Sequence, residues 1–490
     1  MKRKPYKEFV AADSTKLYRS KTDPKADVHL LWGDGVRLLG GTGNGRVEVQ
    51  ARGKTGWVET DALGGESLLE VYFIDVGQGD GVLIKTPDFR HIMIDGGNPR
   101  SRQNTGKNAA DFVDWKFVED YGQSTIELDA MIASHNDLDH YGGLSDILDV
   151  KQKEELDAQG ISVEAFYHAG LSWWLQNDER TLGRTAKVDG RSYYIDLIDS
   201  RNSAKRATLQ GAWGQFIERA LSAKRADGGF STFKRISHKS GFLPDFEAGG
   251  KGPSLRALGP IERTVSGKPA LPKFKSNSTT TNGNSILLRL DYGRARILLT
   301  GDLNTESQNL ILETFSGDRM QFQCDVTKGC HHGSDDVSFA FLQAMGAAAT
   351  VISSGDAEGH DHPRPRIVAA SGATGHLTVD RDKIITPLVY STELARSTSL
   401  GTPFKLSYAN GTATETIDGR KLAEAEVEYS ERLPGSPNPR KGKRTLDGAC
   451  LVAGLIYGLV NVRTDGDTIL AATLNEGKAD WTVRKFKSRF

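Results

Sequence analysis

A chain of 490 residues is too long for one ordinary core, since domains usually run to about 100–200 residues. Charged residues make up 26% and hydrophobic ones 38%, the balance of a folded globular protein, which excludes a disordered or fibrous chain. Lys plus Arg equal Asp plus Glu at 63 each, so global charge names no partner and any nucleic-acid surface has to be local.

From the N-terminus, basic residues stand without an apolar run behind them, so no secretory signal is expected. Residues 8 to 66 then alternate apolar and polar positions in "LYRS", "VHLLW", "GDGVRLLG", "RVEVQ" and "GKTGWVET", separated by Gly and Asp. Short strands at that spacing suit a small β-barrel, and the segment 1–66 resembles a bacterial SH3-like module. From residue 67 the texture changes. "VYFIDV" and "GVLIKT" read as a hairpin around "GQGD", "HIMIDGG" as a buried strand ending at Asp95, and "LDAMIASHNDLDHYGG" as a strand with a polar motif at its end. A helix is expected from "LSDILDV", with Ser145 as its cap. Residues of about 170 to 275 interrupt this order and read as a helical insertion, rich in Lys and Arg and interleaved with Trp213, Phe216, Phe230 and Phe233. The strand texture returns in "NSILLRLDYGRARILLTGDL", "CDVTKGCHHGSDD" and "ATVISSGD", with a helix at "VSFAFLQAM". This makes 67–400 one layered α/β domain. Residues 401–490 form a C-terminal extension holding a basic loop, "ERLPGSPNPRKGKRTLDG", and a closing hairpin around "TDGD". The longest apolar stretch, "CLVAGLIYGLVNV", is shorter than the ~20 residues a membrane helix needs. Three cysteines, Cys324, Cys330 and Cys450, are too few for a disulfide framework and fit a reducing compartment. A soluble, cytoplasmic protein is the expectation.

His135, Asp137, Asp139 and His140 fall within six positions. In an extended loop alternate residues share a side, and His140 comes round as the chain enters its helix. Imidazole with carboxylate suits Zn²⁺, Mn²⁺ or Fe²⁺ better than Ca²⁺ or Mg²⁺, although an Asp-rich turn capping a helix has the same composition. Three features elsewhere favour the metal. Asp302 ends an apolar strand, where an acid is expensive unless paired or ligating. His331 and His332 follow another strand end, and His360 and His362 a third. His168 ends a further apolar run; it is a candidate ligand or a satisfied core histidine.

In order and wording, "VYFIDVGQGDGVLIKT", "IMIDGG", "ASHNDLDHYGG", "NSILLRLDYGRARILLTGD", "VTKGCHHGSDD" and "GHDHPRPRIV" resemble the metallo-β-lactamase superfamily, and within it the soluble domain of the ComEC competence-protein family. That resemblance implies a four-layer αββα sandwich holding two divalent metal ions, Zn or Mn. His135, Asp137, Asp139 and His140 would be the first ligand motif, Asp302 the bridging acid, and His331 or His332 the last His ligand. Asp137 stands where His is commoner in the superfamily, as in ComEC-like members. Asp80 and Asp95 would orient ligands. The implied reaction is phosphodiester hydrolysis by water activated between the metals, on DNA. Asp139 would accept or orient the proton, and His332 and His360 would stabilise the transition state or leaving oxygen. Lys328 and His362, with Arg225, Lys234 and Arg235 of the insertion, would contact substrate. The alternative is a hydrolase of a small phosphodiester, ester or lactone, with 170–275 as a lid. The SH3-like module leaves room for a protein partner.

Overall fold

The computed structural model describes residues 5–103, 106–149, 155–250, 252–355, 362–392, 399–410, 413–431, 440–448, 451–453, 459–475 and 480–490. Two sheets carry the main body. The larger has nine strands in the order Thr232–Arg235, Gly160–His168, Thr125–Ala133, His91–Ile94, Val82–Lys85, Leu69–Phe73, Val460–Thr464, Thr468–Asn475, Asp480–Lys487. Its first four strands are parallel and the rest antiparallel. The second has six strands, Ser254–Ala257, Leu288–Tyr292, Ala295–Leu299, Val326–Lys328, Ala349–Ile352 and Leu388–Ser391, of which the last four are parallel.

Strands buried on both faces have to be apolar at odd and even positions alike. Ile84, Ile92 and Ile132 pack against Leu288, Ile297 and Val351 of the other sheet, so the two sheets meet face to face. Leu83, Met93 and Met131, one position along, point the opposite way. They meet Val113, Leu144 and Ile217 of helices Ala109–Trp115, Leu138–Ile147 and Gly211–Ser222. The outer face of the six-stranded sheet, with Leu287 and Leu298 at its margin, is covered by Ile311, Phe341 and Ile367 of helices Thr305–Thr314, Phe339–Met345 and Pro365–Thr374.

Two sequence expectations need correction here. Residues 170–275 are not one helical insertion. Trp213, Phe216, Ile217 and Ala220, spaced along one helical face, belong to the helical layer, while Thr232–Arg235 and Ser254–Ala257 are the edge strands of the two sheets. Only short ladders between residues 174 and 272 stand outside them. The helix after the polar motif begins at Leu138 with Asp137 at its N-cap, six residues before Leu144, where a start at "LSDILDV" would place it. Ser145 lies in that helix's last turns, where its hydroxyl accepts from Arg219 at 2.8 Å.

The N-terminal strands form a separate six-stranded antiparallel sheet around Val10, Leu17, Leu30, Val49 and Val58. It is joined to the main body by apolar packing of Tyr6, Phe9 and Leu31 and by buried charge. Arg463, fully buried, donates to Asp34 at 2.7 Å and to the Trp32 carbonyl at 2.6 Å, and stands 3.5 Å from Glu70. Glu70 in turn pairs with Lys85 at 2.7 Å. Tyr6 donates its hydroxyl to Asp120, which pairs with Lys116 at 2.6 Å. Cys324 and Cys330 are buried free thiols. Residues 432–439 of the basic loop lie outside the described residues; 440–445 pair with Glu426–Glu431. Among the described residues no helix is long and apolar enough to cross a membrane.

Candidate metal centre

Parallel strands present their C-terminal ends along one edge, where open sheets gather functional groups. Asp95 follows His91–Ile94, Ser134 and His135 follow Thr125–Ala133, Asp302 follows Ala295–Leu299, and His331 and His332 follow Val326–Lys328. Asp80 comes from the hairpin turn before Val82–Lys85. Glycine lets these loops close on one another. A Cβ on Gly143 would sit 1.9 Å from the Gly96 carbonyl oxygen, one on Gly142 2.4 Å from Pro99, and one on Gly79 2.3 Å from the Asp139 carbonyl. The glycines of "YGG" are therefore what allow the helix to lie against the 95–99 loop.

Asp302 Oδ2 is the focus. His332 Nε2 lies 3.0 Å from it, His140 Nε2 3.2 Å and His331 Nε2 3.9 Å. Asp139 Oδ2 stands 3.5 Å from His332 Nε2 and 4.0 Å from His140 Nε2. Asp137 Oδ2 is 3.7 Å from His135 Nε2 and accepts from Thr281 at 3.0 Å. The rings are held from behind. His140 Nδ1 meets Asp95 at 2.8 Å, His332 Nδ1 meets the Ser353 carbonyl at 3.1 Å, and His135 Nδ1 meets Ser134 and Ser285 hydroxyls at 3.1 and 3.3 Å. In the neutral form, donation from Nδ1 of His140 and His332 leaves each Nε2 with its lone pair facing inward.

The electrostatics match. Burial, with His140 beside it, pulls His135 down to about 3, so it stays neutral. Burial works against charge on Asp302, but His332, His140 and Lys328 outweigh it and hold the carboxyl well below its usual range. Burial likewise opposes charge on His140 and His332, yet Asp302 leads a ring of carboxylates that drives both well above the ordinary histidine value. Burial and the neighbouring Asp139 push Asp137 up to about 7. A pocket that raises histidines and still strains a carboxyl is short of positive charge.

The donor set fits a divalent cation. Nε2 of His135, His140 and His332 are buried and make no hydrogen bond. Orphaned polar atoms of that kind are costly unless something else satisfies them. Among the described residues four groups of donors each bring their ligand atoms within 4.8 Å of one another: His135, His140 and Asp302; Asp139, His140 and His332; Asp80, Asp95 and His140; Asp80, Asp302 and His332. Imidazole and carboxylate together suit Zn²⁺, Mn²⁺ or Fe²⁺.

Several expected residues stand elsewhere. His332 enters these donor groups; His331, the alternative ligand, does not, and is about a quarter exposed beside Asn282 and 5.9 Å from the His362 ring. His360 lies outside the described residues. His168 packs its ring on Phe166 and Phe233 and accepts the Gly170 N–H at Nδ1, 3.1 Å; its Nε2 is also buried without a hydrogen bond, but no donor group among the described residues includes it. Lys328 is buried and donates to the Gly301 carbonyl at 2.8 Å and to Asp80, which removes it from a solvent-facing phosphate role. Arg235 is paired with Glu262 and Arg225 with Asp227, each at 2.7 Å, leaving Lys234 exposed. Trp213, Phe216 and Phe233 are core, while the exposed Phe230, under Lys224 and Arg201, precedes a strand whose other end points to the metal edge.

The sequence reading passed over Thr281 and Asn282. "SNSTTTNGN" looks like a loop, but Ser276 caps a helix, Asn277–Gly283, that carries both to the site. It also passed over Trp173, whose indole N–H donates to the Asn136 carbonyl at 3.0 Å and whose ring carries the Arg180 guanidinium at 3.7 Å.

No family model matches the chain. A competence protein, ComA of Neisseria gonorrhoeae, is 36% identical over 83 residues, 17% of this chain and 12% of that protein. The chain thus aligns with about an eighth of that relative. Among solved structures, a diphosphatase from the PhnP family is 14% identical, covering 62% of this chain and 82% of that one at a TM-score of 0.27. A variant of the CmlA β-hydroxylase is 10% identical, covering 59% and 46% at 0.26. A protein of unknown function from Enterococcus faecalis V583 is 12% identical, covering 56% of each at 0.24.

Proposed function

We propose that this chain is a metal-dependent phosphodiester hydrolase of the metallo-β-lactamase type, acting on DNA. The observation that carries the reading is the convergence of three orphaned imidazole nitrogens, from His135, His140 and His332, toward Asp302. His135 with Asp137 would hold one divalent ion, Asp139, His140 and His332 a second, with Asp302 between them. Such ions supply an activated water and offset charge on the oxygens of an in-line displacement. Asp139 is then the proton acceptor. His331, with Nε2 engaged by Asn282, keeps an unpartnered Nδ1 that is buried here and would donate to a substrate oxygen once the ring turns outward. Arg180, stacked on Trp173 one hydrogen bond from Asn136, supports an anionic substrate.

The local likeness to a competence protein favours DNA. A small phosphodiester is the second reading, favoured by the burial of Trp213, Phe216 and Phe233, which cannot then stack on bases. The N-terminal sheet as an SH3-like module with its own partner belongs to the same proposal, as does a cytoplasmic setting. Purified protein loaded with Mn²⁺ or Zn²⁺ should cleave linear or single-stranded DNA, and Asp302→Ala should not. Cleavage of bis-p-nitrophenyl phosphate with no cleavage of any DNA would leave the second reading standing.

A further inference from the structure

Lys328 is a buried cation inside a metal centre, a costly placement that the bland role of a solvated lysine does not explain. It ends the strand Val326–Lys328 and reaches three oxygens: the Gly301 carbonyl at 2.8 Å, Asp302 Oδ1 at 3.4 Å, and Asp80 Oδ2. Asp302 is therefore divided. Oδ1 faces the ammonium, and Oδ2 alone faces His140 at 3.2 Å and His332 at 3.0 Å. Asp80 is divided too, with Oδ2 on Lys328 and Oδ1 3.4 Å from His332 Nδ1.

We infer that Lys328 is a positioning residue that restricts Asp302 to bridging through the single oxygen Oδ2, by holding Oδ1 away from the metals. The inference rests on the two-metal reading above. Without the amine, Oδ1 is free to turn inward, Asp302 chelates or gives one oxygen to each ion, and the spacing of the pair changes. Lys328 touches neither substrate nor ion in this role; it acts through Asp302.

The test is Lys328→Met, which keeps the length and removes the charge, loaded with Co²⁺ as a spectroscopic probe. The variant should still bind two equivalents. Its visible d–d bands should weaken and shift as coordination number rises, and kcat should fall at least tenfold with KM unchanged. Lys328→Arg, too broad for the same three oxygens, should show the same spectral change. Two bound equivalents with bands identical to wild type in both variants would overturn the role of Lys328 and leave the two-metal reading intact. Failure of the wild type to take up any divalent ion would overturn both. Should neither variant fold, X-ray absorption of the cobalt-loaded wild type decides: a metal–carbon path of a bidentate carboxylate overturns the inference, and its absence supports it.

Discussion

His331 and His332 are adjacent in sequence and opposite in environment. Both adopt left-handed backbone, at φ of 48° and 52°, a conformation rare outside glycine that clusters at functional sites. The kink sends His332 inward, buried with Nε2 on Asp302, and His331 outward to Asn282 and the His362 ring. His332→Ala should lose one equivalent of metal and essentially all turnover. His331→Ala should keep both equivalents and lose about 100- to 1,000-fold in kcat, the effect of one transition-state donor. Metal content by plasma mass spectrometry beside steady-state kinetics separates them; loss of metal from His331→Ala would reverse the two roles.

At the scale of elements, the helix Leu138–Ile147 depends on two glycines that helix propensity counts against it. Gly143→Ala would press a methyl onto the Gly96 carbonyl, against backbone that cannot rotate away. A loss of about 3 kcal/mol is expected from overpacking of this kind, read by urea denaturation. Stability within about 0.5 kcal/mol of wild type would mean that the 95–99 loop yields. The same helix marks where the sequence was legible. Strands such as Thr125–Ala133 and Ala295–Leu299 were readable because apolar runs bounded by turns are local signals, and so was the clustering of His135, Asp302 and His332 at strand ends. The start of the helix was not, because a glycine chosen for close approach looks the same as one that breaks a helix. The basic, aromatic stretch misled for a related reason. Composition does not say which side of Phe216 or Phe233 is covered, and parallel pairing of Thr232–Arg235 with Gly160–His168 puts Phe230 at the far end from the candidate site. The partner of Arg235, Glu262, lies 27 residues along the chain, beyond any local pattern.

For the whole molecule the joint between the N-terminal sheet and the main body combines a buried ionic network with apolar packing of Tyr6, Phe9 and Leu31. Arg463 reaches Asp34 and the Trp32 carbonyl across sequence separations above 400 residues, so the two units are expected to unfold together. Arg463→Ala would leave Asp34 with Arg52 as its one remaining cation and weaken the setting of Glu70, and breaking one partner of a buried pair costs about 3–5 kcal/mol. Chemical denaturation followed by far-ultraviolet circular dichroism checks this. A separate early transition in the variant would locate the loss in the joint, and a change below about 1 kcal/mol would show that Arg52, which also pairs with Asp34, suffices. That arginine lies on the strand Val460–Thr464, whose place is beside Leu69–Phe73 in the nine-stranded sheet. On the ribosome the neighbour of an early strand therefore emerges roughly 390 residues late, which at about 5–20 residues per second is on the order of 20–80 s. For that interval Leu69–Phe73 offers an open hydrogen-bonding edge to any other nascent chain. Slower translation is thus expected to lengthen the exposure of that edge, and soluble yield measured at two translation rates checks it.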